Sequence, residues 1–417
     1  MSNSFAGIVL VLIVARCLAE FWFELLNQNH VRQHAGQIPE AFRDAIDEAT
    51  YKKSVEYTLA RSRFSMAELA WSTVVLVVAL FSGILPRFYG GFGESFGHSI
   101  WSGAAFLVAA GLALSIPGLP FDWFAQFRLE QKFGFNTSTQ KIWWLDRAKG
   151  LVLGIALGYP LIAVILKLIG AAGEAWWIWA WAVVFGFQLV MSVLAPILIL
   201  PLFNKFTPLP EGSLRERLLA LGKKTGFHAR TIQVMDGSKR SRHSNAFFTG
   251  FGRFRKIVLF DTLIAQLAEV ELEAVLAHEI GHYKRSHIPK LLALSAAGML
   301  ATFFLISVFA RQNWFYEAFG FAPGQPAPAL LLCTMLSGVA GFWFSPAAYF
   351  LSRRYEYEAD AFAAATMQGA APLVGALRKL NEKNLSNLTP HPFYSAFFYS
   401  HPTLLERETA LRRARPS

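Results

Sequence analysis

The sequence predicts a mainly α membrane protein, with seven transmembrane helices and a small α+β module on the cytosolic side. Three observations carry this prediction. Hydrophobic residues make up 54% of the 417 residues and charged residues only 16%, with a mean hydropathy of +0.36. Apolar stretches long enough to cross a bilayer recur along the chain. One polar insertion lies between the fifth and sixth stretches, and it contains His278-Glu279-Ile280-Gly281-His282.

The stretches can be taken in order. Residues 4–27 carry Arg16, Glu20 and Glu24, with Arg16 and Glu20 spaced to pair on one helix face. This segment lacks a basic leader and a small-residue cleavage site, so it reads as a retained span. Residues 67–86 are interrupted only by Glu68, and residues 99–121 hold no charge. Residues 150–166 are short but continue past Lys167, and residues 175–203 are long and rich in Trp. Residues 291–310 and 327–350 are again uncharged.

Charge orients these spans. The segment 31–64 holds Arg32, Arg43, Lys52, Lys53, Arg61 and Arg63, and the segment 122–149 holds Arg128, Lys132, Lys141, Arg147 and Lys149. Residues 204–287 and the tail from Arg353 are basic too, whereas 87–98, 171–174 and 311–326 carry at most one Arg or Lys each. Basic and neutral segments alternate at every crossing, which places the N-terminus outside and the C-terminus in the cytosol. The net charge of +11 follows from this bias and from anionic membrane lipid, and gives no reason to expect nucleic acid. Cys17 and Cys333 are the only cysteines, both in apolar spans. They exclude a disulfide framework or a Cys₄ site and read as packing residues.

Four regions result: spans one to five over 1–203, a zincin-like insertion over 204–288, spans six and seven over 289–352, and a cytosolic C-terminal segment over 353–417. Within the insertion, 214–225 reads as a short amphipathic helix. Residues 231–235, 245–248 and 257–260 read as strands, with Gly250-Phe251-Gly252 in the turn between the last two. Asp261 or Thr262 would cap a helix running to the His pair.

The chemistry begins with that pair. On a helix, His278 and His282 sit one turn apart on one face and can grip one Zn²⁺, with Glu279 placed to work on a metal-bound water. This pattern implies peptide-bond hydrolysis. A zincin needs a third protein ligand, and the string Glu356-Tyr357-Glu358-Ala359-Asp360 offers two candidates four residues apart. One can bind the metal while the other accepts an N–H from a liganding imidazole. Glu358, two residues from both, points elsewhere. The edge of the small sheet can pair with an extended substrate.

The chain resembles the type I CAAX prenyl endopeptidases, integral-membrane zinc proteases. The likeness rests on Tyr51-Lys52-Lys53-Ser54 with Tyr57, on Glu130 with Gly134-Phe135-Asn136, on the string from Pro201 to Pro210, and on Ser244-Asn245-Ala246-Phe247. It continues in Leu259-Phe260-Asp261-Thr262-Leu263 and in Ser400-His401-Pro402 with Glu406-Arg407. The resemblance implies a barrel of seven long helices around a water-filled chamber, closed by the protease module. It implies one Zn²⁺ per chain held by His278, His282 and Glu356, with Glu279 as base and Asp360 orienting His278. Asn245 and Ala246 would hold the substrate backbone. His401 would steady the tetrahedral intermediate, and Arg407 would support the ligands. The family reaction is removal of the C-terminal tripeptide from prenylated proteins, so the implied partners are a peptide or protein substrate, prenylated or not, and membrane lipid.

Glu358 departs from the Gln usual in eukaryotic members, and the Ala-rich spans and basic tail suggest a bacterial inner-membrane homologue. A membrane quality-control zinc protease of the heat-shock type is the alternative enzyme. A seven-span transporter or receptor with a decayed metal site is the alternative outside enzymes, and the presence of His278, His282, Glu279 and Glu356 together argues against it.

Overall fold

The computed structural model describes residues 1–44, 46–227, 231–249 and 256–413. Seven helices among them are long and apolar enough to cross a membrane: Ser2–His34, Glu48–Phe81, Ile100–Phe133, Gln140–Ala171, Gly173–Phe203, His287–Phe309 and Pro326–Thr366. We refer to them as the first to seventh spans. Most are longer than their apolar stretches, because each continues as polar helix into the basic side. Residues 67–86 mislead in one respect. The second span ends at Phe81, and Gly83 in the left-handed region (φ +75°) opens a separate helix, Ile84–Phe96, that contains Pro86. The Arg16–Glu20 pair is formed at 2.6 Å.

The spans form a ring. Each touches its neighbours in sequence, and the seventh returns to the first. They bury little of one another: the apolar window of the fifth is 0% buried, and only the seventh, at 39%, exceeds 17%. A solid bundle would bury a stripe along every helix. These helices instead stand around a chamber, with the seventh also touching the third and fourth.

Apolar cores close the two ends. At one end Val9, Leu80, Phe106 and Leu332 pack with Phe315, Tyr316 and Phe319 from the connection between spans six and seven. Cys333 packs against this cluster. At the other end Val31, Phe42 and Tyr51 pack with Leu218, Leu259, Leu276, Ile280 and Leu411 of the protease module.

That module holds a four-stranded sheet of order β1-β2-β4-β3: β1 Phe206–Pro208, β2 Thr231–Met235, β3 Ala246–Thr249 and β4 Lys256–Phe260. β2 runs parallel to β4, while β1 and β3 are antiparallel edges. The expected turn at Gly250-Phe251-Gly252 lies outside the described residues. The helix Ser213–Thr225 ends at Gly226, whose φ of +61° closes it in the left-handed region. Arg240 forks onto Asp146 of the fourth span at 2.7 and 3.0 Å, which ties the module to the ring.

The metal helix does not start at Asp261. Asp261 opens a short helix, Asp261–Gln266, and accepts hydrogen bonds from the Ser238 and Thr262 N–H groups. The helix that carries the His pair is Glu269–Lys284. Its start is fixed by Glu271, whose carboxylate accepts from the Ala268 N–H at 2.7 Å and from Lys379 Nζ at 2.7 Å. Pattern reading ran the two helices together because no Gly or Pro separates them.

Candidate metal centre

Three stretches distant in sequence converge here. The metal helix lies against the C-terminal end of the seventh span, and Gly281 allows the close approach. A Cβ at Gly281 would sit 3.0 Å from Ala359 Cα and 3.1 Å from its carbonyl oxygen. A side chain there would force backbone apart by a few tenths of an ångström, so its absence lets the two helices stand this close. The third stretch, from Ser400 to Arg413, packs its helix Leu404–Arg413 beside them.

His278, His282 and Glu356 offer ligand atoms that lie together. His278 Nε2 is 3.2 Å from His282 Nε2 and 3.4 Å from Glu356 Oε2, and His282 Nε2 is 3.3 Å from Glu356 Oε1. Donors about 2.0–2.1 Å from a tetrahedral zinc stand roughly 3.3 Å from each other. The spacings therefore fit such an ion. Glu356 Oε2 is a buried oxygen with no hydrogen-bond partner among the described residues, which also fits a cation as its missing contact. Charge agrees. Burial alone would lower the pKa of His278, but the carboxylates of Asp360 and Glu356 reverse this and hold it at about 9. The carboxylates beside the two imidazoles favour positive charge in this pocket.

The residues around the donors are placed as follows. Asp360 Oδ1 lies 2.8 Å from His278 Nδ1. Arg407 grips the same carboxylate with two bonds, at 2.8 and 2.5 Å. Both Asp360 and Arg407 are buried. Glu279 is half-buried beside His278, His282 and Glu356, and burial raises its pKa. His401 Nε2 lies 3.3 Å from Glu356 Oε1 and opens on a cavity of 440 Å³. Ser386, Asn387 and Tyr399 line both this cavity and a second one of 520 Å³ that continues towards Arg61 and Tyr394. Asn245 directly precedes β3, exposed at the sheet edge, with its Oδ1 accepting the Ala246 N–H at 2.8 Å. Glu358 points away, as its spacing predicts, and pairs with His287 and Arg354.

Sequence reasoning missed two groups. His287 lies 3.0 Å from His282 through Nδ1 of both rings. On one continuous helix, positions 282 and 287 would point about 140° apart. Ser286, in the left-handed region at φ +56°, ends the metal helix and turns His287 back. Only a pair of basic residues before a Ser hinted at a helix end there. The second group is His243, whose ring bonds Asn384 Oδ1 at 3.0 Å and Glu130 Oε2 at 3.3 Å and stacks on Phe135. Its signal was its position two residues before Asn245.

The described geometry is that of a membrane-embedded metallopeptidase. Residues 27–205 match the family described as CAAX prenyl protease N-terminal, five membrane helices, and residues 208–415 match peptidase family M48. A CAAX prenyl protease 1 homolog of Oryza sativa is 35% identical, covering 92% of this chain and 93% of its own. CAAX prenyl protease 1 of Saccharomyces cerevisiae is 34% identical, covering 94% and 93%. The crystal structure of S. mikatae Ste24p superposes with a TM-score of 0.92 at 31% identity, covering 97% of this chain and 98% of that one. The chain belongs to peptidase family M48, in its CAAX prenyl protease branch. It is a multi-pass membrane metalloendopeptidase.

Proposed function

We propose that the protein is a zinc endopeptidase that removes the C-terminal tripeptide from prenylated CAAX proteins. The observation that carries this reading is the His278–His282–Glu356 donor set, spaced for one tetrahedral ion, with His401, 3.3 Å from Glu356, lining the adjacent cavity. The relatives' names supply the substrate class. When bound, Zn²⁺ would acidify a water molecule and polarise the scissile carbonyl.

This chain's residues do the rest. Glu279 takes the proton of the attacking water and returns it to the leaving amine, and its raised pKa suits a group that must both accept and release a proton. Asp360, locked by Arg407, fixes the ring of His278. His401 donates to the oxyanion as the carbonyl carbon becomes tetrahedral. The substrate main chain lies along the exposed β3 edge, with Asn245 and Ala246 bonding its peptide groups. The basic segments on the module side support a cytosolic position for this chemistry.

The test uses full-length protein in liposomes with farnesylated and unfarnesylated peptides ending in a CAAX sequence. The prenylated peptide should lose its last three residues, and Glu279→Gln should abolish cleavage while zinc content stays at one per chain. Equal cleavage of both peptides would instead point to a broad quality-control protease. Near-normal turnover by the Gln variant would remove Glu279 from the role of base.

A further inference from the structure

Resting on the zinc reading above, we propose that His287 and Glu358 are positioning residues that fix the tautomer and ring orientation of His282. His282 turns its Nε2 to the donor cluster, 3.3 Å from Glu356 and 3.2 Å from His278. A neutral imidazole that gives Nε2 to a metal carries its proton on Nδ1. That Nδ1 faces the Nδ1 of His287 at 3.0 Å. Two nitrogens at this distance share one proton, so His287 must accept there and keep its own proton on Nε2. Nε2 of His287 in turn lies 3.1 Å from Glu358 Oε2, an acceptor that selects this tautomer. The three groups form one directed chain, from His282 through His287 to Glu358.

The surroundings hold this chain still. His287 is 1% exposed. Its ring stacks on Tyr355, 4.2 Å away and within 10° of parallel. It is the first residue of the sixth span, set by the turn at Ser286. The arrangement complements the other imidazole. His278 reaches a carboxylate directly through Asp360, whereas His282 reaches one through an intervening ring. Metal-liganding imidazoles are commonly oriented in this way, and loss of the supporting partner costs about 10–100-fold in metal affinity.

The experiment measures zinc affinity of the purified full-length protein by chelator competition, and the visible spectrum of the Co²⁺-loaded form. His287→Phe preserves the stacked ring but removes the acceptor. It should weaken zinc binding by about 10–100-fold and alter the Co²⁺ spectrum. His287→Asn, which again presents an acceptor to His282, should recover most of the affinity. Glu358→Ala should weaken binding, whereas Glu358→Gln, whose amide oxygen still accepts from His287, should stay close to wild type. Combining His287→Phe with Glu358→Ala should cost no more than His287→Phe alone, because Glu358 acts only through His287.

Wild-type affinity in His287→Phe, additive losses in the double variant, or equal losses for the Ala and Gln variants at 358 would each overturn the proposal. If His287→Phe does not fold, the two Glu358 variants decide by the same criteria. Glu356→Ala separates this inference from the reading beneath it. If it retains zinc, the zinc reading fails. If it loses zinc while His287→Phe binds normally, only the orienting chain fails.

Discussion

Each side chain at the centre makes a contact that a single substitution can remove. Glu356 supplies an oxygen without a hydrogen-bond partner among the described residues, in a buried pocket. Glu356→Ala should therefore abolish zinc retention, measured by metal analysis, with little change in helix content. Asn245 stands apart from the donors, at the open sheet edge. Asn245→Ala should keep its zinc and lower kcat/KM by about 10–100-fold, the loss of one or two good substrate hydrogen bonds. Unchanged peptide kinetics would take Asn245 out of the site. Short-range periodicity made His278, His282, Glu356 and Asp360 legible, because each pair is spaced by one helical turn. His287 was illegible for the opposite reason: its contact depends on the backbone conformation of Ser286, which no periodicity encodes. The part played by Arg407 came from resemblance alone, since a salt bridge across 47 residues leaves no local pattern.

At the scale of elements, the β3 edge proposed to take the substrate is held from behind. His243 ties the approach to β3 to Glu130 of the third span and Asn384 of the C-terminal segment, while Arg61 lies close enough to oppose its charge. Burial lowers the pKa of His243, but the bonds to Glu130 and Asn384 outweigh it and leave the value raised. The sign follows directly. A raised folded-state value means that the tie is fully present below about pH 6.5, the ordinary histidine value, and is lost as pH rises through the folded-state value. His243→Gln should flatten that part of a plot of unfolding temperature against pH, leaving the acid side least like wild type. A variant curve parallel to wild type would show that His243 does not titrate there. Glu130 itself comes from a π-helical turn over Ala125–Glu130 in the third span, a local widening that often marks functional positions. Hydropathy could place the third span but had no way to register such a turn, which depends on one extra residue in the helical ladder.

For the whole molecule, ring closure and charge make one prediction together. The protease module sits at the basic end of a wall of seven spans, so its surface should face the cytosol. After replacement of Cys17 and Cys333, cysteines introduced along the exposed face of 212–225 should react with impermeant reagents from the cytosolic side only. Labelling from the other side would invert the topology. The number of spans was legible because lipid demands long uncharged helices. Their ends were less so, because each helix runs on past the bilayer, where neighbours in the fold and not lipid decide its length.

The convergence of three distant stretches also sets an order in time. While the chain is being made, His278 and His282 emerge before two further spans have been inserted. Asp360 then waits, a carboxylate destined for burial, until Arg407 has been synthesised to neutralise it. Separating such a buried pair typically costs about 3–5 kcal/mol, so the seventh span cannot settle against the metal helix much earlier. A chain halted in the ribosome before that point carries ligands but no finished centre. Cutting activity should therefore be among the last properties that translation delivers.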